Sequence, residues 1–304
     1  MTFDHEILAR LKTEQVNPKF AGLDSMSPRE ILSAINSADA EVATAVANEI
    51  SSIEVSVNKI VERMRSGGRI IYIGAGTSGR LGVLDASECG PTFSVGNNLV
   101  IGLIAGGDHA LRNPIEGAED SKAEAVRQLK EIGLNANDSL IGIAASGRTP
   151  YVIGGLEYAK EIGALAISLA CNKNAEISKA ADIKIEVDTG SEILSGSTRM
   201  KAGTAQKLVL NMISTTSMIL LGKTFGNLMV DLQVTNVKLR NRAERIIAAA
   251  TGCSIERAGE LLSESGEQVK VAIVMELLST NRSSAEAALA KSGGVIRQAL
   301  GEAK

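Results

Sequence analysis

Five short apolar runs, at residues 70–73, 99–105, 140–145, 164–170 and 183–187, constrain the fold of this chain more than any other feature. Several are separated by helical patterns, notably at 119–132 and 151–162. Runs that are apolar on both faces read as strands buried from both sides, and alternation with helices makes the sheet parallel. The expected class is therefore α/β, a parallel β-sheet flanked by helices, with a long helix over 198–221 closing it. In such a fold, function gathers at the carboxyl ends of the strands.

The flanks read differently. Residues 1–26 look weakly ordered, with Asn17-Pro18 breaking the first helical pattern. Ser27, Pro28 and Glu30 form a helix start, because Ser27 can cap, Pro28 fits the first position and Glu30 closes a capping box. A single helix is expected over 39–64, its Val42, Val46, Ile50, Ile53, Val57, Ile60 and Met64 making one apolar stripe that would suit a helical dimer interface. Beyond Asn236 the strands stop. Capping signals at Ser254 and at Ser283 with Glu286, and glycines at 252, 266, 293 and 294, divide the tail into short helices. Three parts are expected: an N-terminal helical segment over 1–60, the sheet domain over 61–225 and a small helical bundle over 240–304.

Composition removes several functions. Aromatic residues are 2% with no Trp, so stacking platforms for sugars or bases are disfavoured, and a net charge of -3 leaves no electrostatic footprint for nucleic acid. Cys89, Cys171 and Cys253 are isolated and lack metal-ligand spacing, which points to a reducing, cytoplasmic setting and to no metal. The acidic start Met-Thr-Phe-Asp-His-Glu has no apolar signal region. The best membrane candidate, 208–222, is 15 residues long, against the ~20 a bilayer crossing needs.

Two turns carry the chemistry. After the first run, Gly74-Ala-Gly76-Thr77-Ser78-Gly79 supplies small residues and hydroxyls where a helix begins, and a helix N-terminus there can hold a phosphate on free N–H groups. The same residues match G-x-G-x-x-G, but that fingerprint needs an acid about 20 residues on. The next strand-end acid is Asp108, 34 residues past Gly74, which disfavours a dinucleotide. A glycine turn that only permits strand–helix packing is the bland alternative. The second turn, Ser146-Gly147-Arg148-Thr149-Pro150, alone reads as a capped helix start. Paired with Thr77 and Ser78 on one sheet edge, it reads as the other half of a phosphate cradle. Ser197-Thr198-Arg199 echoes both.

Acid–base groups are scarce. His5 lies near the chain start and His109 in the loop after the second run, with no nucleophile elbow to support a hydrolase triad. Carboxylates remain: Glu88 follows the first turn, and Glu116, Glu119 and Asp120 follow the second run. A partly buried glutamate can be tuned upward toward proton transfer, whereas the bland reading of Glu119 is an acid at a helix N-terminus.

Longer runs carry a resemblance. Thr13-Glu14-Gln15 with Asn17-Pro18, the run 71–89, Ile104-Ala-Gly-Gly107, Glu116-Gly-Ala-Glu-Asp120, and the runs 142–150, 198–211 and 227–231 are similar to the bacterial N-acetylmuramic acid 6-phosphate etherases of the sugar isomerase (SIS) superfamily. Gly90, and Thr189-Gly190-Ser191 before Glu192, depart from the family pattern without touching either acid. The resemblance implies a SIS-type, flavodoxin-like three-layer sandwich with a C-terminal bundle like ubiquitin-associated domains, and a homodimer with its site near the interface. It implies cleavage of the D-lactyl ether of N-acetylmuramic acid 6-phosphate by elimination and hydration, without metal or organic cofactor. Glu88 maps to the acid on the leaving oxygen and Glu119 to the second catalytic carboxylate, assigned to C2. Gly76, Thr77, Ser78, Ser146, Gly147, Arg148 and Thr149 are the expected phosphosugar contacts. An aldose–ketose isomerase would share fold and turns but release no lactate, and a phosphosugar sensor would bind without turnover.

Overall fold

The computed structural model describes residues 11–301, so His5 lies outside the described residues. Contacts divide these residues into two compact units: residues up to Ser87 with Asn98–Ser214, and Glu88–Asn97 with the chain from Thr215 onward.

In the first unit the chain runs through α1 (Pro28–Ala40), α2 (Val42–Ala47) and α3 (Ile50–Arg65) into β1 (Ile70–Gly74). It continues through α4 (Gly76–Phe93), β2 (Val100–Ile104), α5 (Lys122–Glu131), β3 (Ser139–Ala144), α6 (Pro150–Glu161), β4 (Leu165–Ala170), α7 (Glu176–Lys179), β5 (Ile183–Glu186) and α8 (Lys201–Leu220), with α4 from Glu88 and α8 from Thr215 counted in the second unit. All five strands are parallel, in the order β2-β1-β3-β4-β5. Tyr72 pairs with Ile141 and Gly74 with Ile143, so β1 and β3 end level with each other. Their connections leave in opposite directions, which opens a crevice at this switch point.

The strands are buried along their length, as their continuous apolar character requires. Ile71, Ile73 and Leu140 pack on Ala125, Leu129, Val152 and Leu156 of α5 and α6. On the opposite face α4 approaches so closely that a Cβ on Gly82 would stand 2.9 Å from Tyr72 Cβ, and one on Gly102 of β2 would stand 2.5 Å from Val83 Cα. Helices thus cover both faces, giving three layers.

The N-terminal region corrects two expectations. The single helix over 39–64 is three pieces. At Glu41 and Glu49 the backbone tightens, Glu41 N–H donating to Ala38 O at 3.3 Å and Glu49 N–H to Val46 O at 2.9 Å. The second break places Glu49, which is buried, against Lys173 and within 3.4 Å of the Glu186 N–H. It also rotates Ile50 out, leaving it 47% exposed. Val42, Val46, Ile53, Val57, Ile60 and Met64 are buried within the chain, and α3 packs on β4 and β5. These six stripe residues are thus covered within the chain, those of α3 against its own sheet, and are not free to form the expected helical interface. Second, part of the segment ahead of residue 26 is tied down: Thr13 is fully buried, and Asn172 Nδ2 donates to its hydroxyl at 2.8 Å and to Ala145 O at 3.1 Å.

The second unit contains a short hairpin, β6 (Thr224–Phe225) with β7 (Leu228–Met229), and helices α9 (Val237–Thr251), α10 (Ile255–Glu264), α11 (Val269–Leu277), α12 (Arg282–Lys291) and α13 (Ile296–Ala299). Ser254 caps α10 as expected, whereas Asn281 rather than Ser283 caps α12. Its core runs from Val230 and Leu232 through Ile247, Leu262 and Ile273 to Ile296. Asp231 joins Lys223 and Lys270 at 3.2 and 2.8 Å, which ties the residues after the hairpin into this bundle.

Candidate active site

The first turn leaves β1 at Gly74 and enters α4 at once. Gly76 takes a left-handed φ of +53°, a conformation that costs glycine little and other residues more. Thr77 is half-buried, and its methyl faces Gly203 of α8, where a Cβ would stand 3.5 Å away. Ser78 is buried, and its hydroxyl donates to Gln206 Oε1 of α8 at 3.0 Å.

Beside it, the second turn follows β3. Gly147 has φ +74°, and a Cβ there would lie 2.5 Å from Ala175 Cβ, so no other residue fits this turn unstrained. Ser146 Oγ accepts from the Arg148 N–H at 3.4 Å, and Arg148 and Thr149 are half-buried. Thr149 stands at the N-cap of α6, followed by Pro150 at the first helical position, yet its side chain makes no capping bond. The bland reading of this hydroxyl as a helix cap therefore fails on geometry.

A cavity of about 350 Å³ opens against the first turn, lined by Ala75, Gly76, Arg80, Ala105 and the loop from Pro114 to Glu119. That volume is at the small end for ligand sites, suited to a sugar-sized molecule. Arg80 holds one wall, its Nε and Nη2 donating to Leu111 O at 2.9 Å and Ala110 O at 2.7 Å. Glu116 and Glu119 line the opposite side. Glu119 keeps solvent contact, but the surrounding protein strips part of its hydration and pushes its carboxyl above the usual range, and the charge of Asp120 adds to this. A carboxyl raised in this way is a stronger base than an ordinary glutamate. His109 is exposed beyond this wall, 3.3 Å from the Asn113 amide.

The sequence-predicted residues thus divide. Gly76 and Glu119 share one cavity, and the two turns sit side by side at the β1/β3 edge. Glu88 is exposed, stands twelve positions past Gly76 on α4, and is not among the residues lining that cavity. Asn172 carries no motif of its own, whereas Arg80 and Gln206 fall inside the runs 71–89 and 198–211 that carry the resemblance but are given no role by it. The available signal for Gln206 is positional: it falls at helical spacing among the buried Ala202, Val209 and Ile213, where a polar side chain needs a reason. Among the described residues no group of three or more His, Cys, Asp and Glu side chains is arranged to hold a metal ion, and no helix is long and apolar enough to cross a membrane.

A parallel sheet in this order, with helix N-termini and hydroxyls gathered at its switch point, is the architecture of a SIS domain. The glucokinase regulatory protein N-terminal SIS domain matches residues 52–160, and the SIS domain matches residues 121–216. Among solved structures, a phosphoheptose isomerase from Neisseria gonorrhoeae is similar at a TM-score of 0.47 and 15% identity, covering 63% of this chain and 99% of that one. Within the SIS proteins the kinship is narrower. An N-acetylmuramic acid 6-phosphate etherase of Geobacillus sp. is 57% identical over 294 residues, and one of Bacillus cereus is 56% identical; each comparison spans 97% of this chain and the whole of the relative. The chain belongs to the N-acetylmuramic acid 6-phosphate etherase family.

Proposed function

We infer that this protein is a carbon–oxygen lyase that converts N-acetylmuramic acid 6-phosphate to N-acetylglucosamine 6-phosphate and D-lactate. The observation that carries this reading is identity above one half to etherases along their entire length. The site supports it through a phosphate-suited pair of turns beside a sugar-sized cavity that bears a carboxyl with raised pKa.

The chemistry follows from those parts. Opening of the sugar ring exposes an aldehyde at C1, which acidifies the C2 proton. Glu119 takes that proton, electrons move into the C2–C3 bond, and the C3–O bond breaks. The departing ether oxygen leaves with lactate and receives a proton from Glu88. Water then adds at C3 while a proton returns to C2, so no net oxidation occurs. The 6-phosphate is held by N–H groups and hydroxyls of Gly76, Thr77, Ser78 and of Ser146, Gly147, Arg148 and Thr149. Each carries partial positive charge toward the anion without a lysine.

Glu88 needs a different origin from Glu119. At 1.5 Å rise per residue, roughly 18 Å of helix separates positions 76 and 88, too far for one open-chain sugar phosphate to bridge. A homodimer in which the partner copy supplies Glu88 removes the difficulty, and an exposed carboxylate is available for that role. A cytoplasmic location fits a phosphorylated substrate and three cysteines without disulfides.

The test is incubation with N-acetylmuramic acid 6-phosphate in ¹⁸O-labelled water and in D₂O. Elimination and hydration place the ¹⁸O on the sugar C3 hydroxyl and deuterium at C2. Label on the lactate hydroxyl would mean direct hydrolysis, and the absence of lactate would sink the assignment.

A further inference from the structure

Gln206 presents an imbalance that the fold does not explain. The side chain is 1% exposed, its Oε1 accepts the Ser78 hydroxyl at 3.0 Å, and its Nε2 has no hydrogen-bond partner. A buried amide N–H₂ left idle is costly, and buried donors without partners are rare enough to demand a cause. Here the idle donor sits one hydrogen bond away from the first phosphate turn. The Ser78 proton is meanwhile spent on Gln206 and cannot reach a ligand.

Both defects have one remedy. A carboxamide is nearly symmetric in shape, its oxygen and nitrogen differing little in size, so turning it end for end hardly disturbs packing. Turned, Nε2 stands where Oε1 stood and donates to Ser78 Oγ. The hydroxyl then accepts from Gln206, and its proton is free for an acceptor in the turn. One N–H of the amide is then paired, and the groups left over are its second N–H and a carbonyl oxygen, the latter tolerated better than an unpaired N–H. An N–H to O–H to phosphate chain also polarises along its length, strengthening the terminal bond. Three residues earlier on α8, Gly203 faces the Thr77 methyl, so the helix lies against the turn.

We propose that Gln206 is a positioning residue for phosphosugar binding, its carboxamide reversing when a phosphate enters so that Ser78 switches from serving Gln206 to serving the ligand. This rests on the reading of Ser78 as a phosphate contact, and the experiment separates the two.

N-acetylglucosamine 6-phosphate is titrated calorimetrically into wild type, Ser78→Ala, Gln206→Leu, Gln206→Glu and the Ser78→Ala/Gln206→Leu double variant. Far-UV circular dichroism checks each fold, and Gln206→Met stands in if the leucine variant is unstable. Ser78→Ala is expected to weaken binding about tenfold or more, as loss of a bond to a charged group does. Gln206→Leu weakens it several-fold, and the double variant is no weaker than Ser78→Ala alone, because Gln206 acts only through Ser78. Gln206→Glu, which when ionised accepts from Ser78 and never donates, loses more than Gln206→Leu. In turnover, Gln206→Leu raises KM for the muramic acid phosphate and leaves kcat nearly unchanged. A purely structural Gln206 would move the melting temperature and not the KM. If Ser78→Ala weakens binding but Gln206→Leu does not, or if the two losses simply add, the proposal is overturned while the phosphate reading stands. If Ser78→Ala itself has no effect, the phosphate reading at Ser78 falls and this inference falls with it.

Discussion

The separation of Glu88 from the first turn leads to a sharp experiment on how the site is assembled. Glu88 stands twelve positions past Gly76 on one helix, so about 18 Å of α4 separates the acid from the phosphate proposed at its N-terminus. Glu88→Gln and Glu119→Gln each remove a carboxyl and keep its shape. General acid–base groups contribute ~10² to 10⁴ in rate, so each purified variant should release lactate at least about a hundredfold more slowly than wild type. Now the two inactive variants are mixed, dissociated in mild denaturant and allowed to reassociate. If Glu88 crosses to the partner's site, a mixed dimer holds one site with both acids intact and one with neither. Random pairing makes half the dimers mixed, so about a quarter of wild-type activity should return. D-lactate release measures it, with differently tagged chains confirming subunit exchange. If both acids come from one chain, every site in the mixture lacks one of them. Confirmed exchange with activity still near the single-variant level would refute the shared-site reasoning.

Three further outcomes follow from the same geometry. Thr149→Val keeps the shape of a residue whose hydroxyl makes no capping bond, so stability should hold within about 0.5 kcal/mol by urea titration while phosphosugar binding weakens by roughly 1.5 to 3 kcal/mol. Because burial, then Asp120, raises the Glu119 carboxyl, and Glu119 must be ionised to accept the C2 proton, kcat/KM should rise with pH through an inflection above the ordinary glutamate value. In Asp120→Asn that inflection should move down, and an unmoved profile would take Glu119 out of the base role. Glu186 is pushed upward by burial, but bonds from Ser178 and from the N–H groups of Ala175 and Asn174 outweigh this and lower its pKa in the fold. Its stabilisation should be full above the unfolded value near 4.5 and fade as pH falls through the folded one, so the gap between wild type and Glu186→Gln in urea should shrink between pH 7 and pH 3.

Much of the sheet was legible from residues alone, because a strand buried on both faces must be apolar throughout and leaves a continuous run. All five runs became strands within about two residues, the margin expected of element boundaries. The position of the two turns was legible for a related reason: small residues after an apolar run and before a helical pattern mark a strand-to-helix turn. Less accessible was what one stretch of side chains would meet. The 39–64 stripe has helical spacing whether it faces a second chain or its own sheet, and only the breaks at Glu41 and Glu49 show that it faces the sheet. Gln206 was hidden because its role depends on a pairing with Ser78 across 128 positions, which no local pattern encodes. Asn172, which joins Thr13 to the second turn across 159 positions, was hidden in the same way.

Under the proposed function helix α4 meets two demands at once, and Asp85 shows how its setting is fixed. A phosphate at the N-terminus only requires that the first turn be open, which leaves the helix free to rotate about its axis. Glu88 requires that rotation to be set, since a carboxyl that points elsewhere contributes nothing. Asp85, three positions earlier, is buried and accepts from Tyr72 Oη at 2.9 Å, Asn211 Nδ2 at 2.7 Å and Ser214 Oγ at 3.1 Å. Those donors belong to β1 and α8, so α4 is keyed to the sheet on one side and to the neighbouring helix on another. A buried carboxyl is costly to desolvate, but an aliphatic residue here would strand the Tyr72, Asn211 and Ser214 donors without a partner. What an aliphatic residue lacks is direction: three converging donors admit one helix rotation, whereas apolar packing tolerates several. Asp85 therefore makes physical sense as a fixture for this helix, which in the proposed function carries Glu88 one turn further on and leaves its first turn open for the ligand.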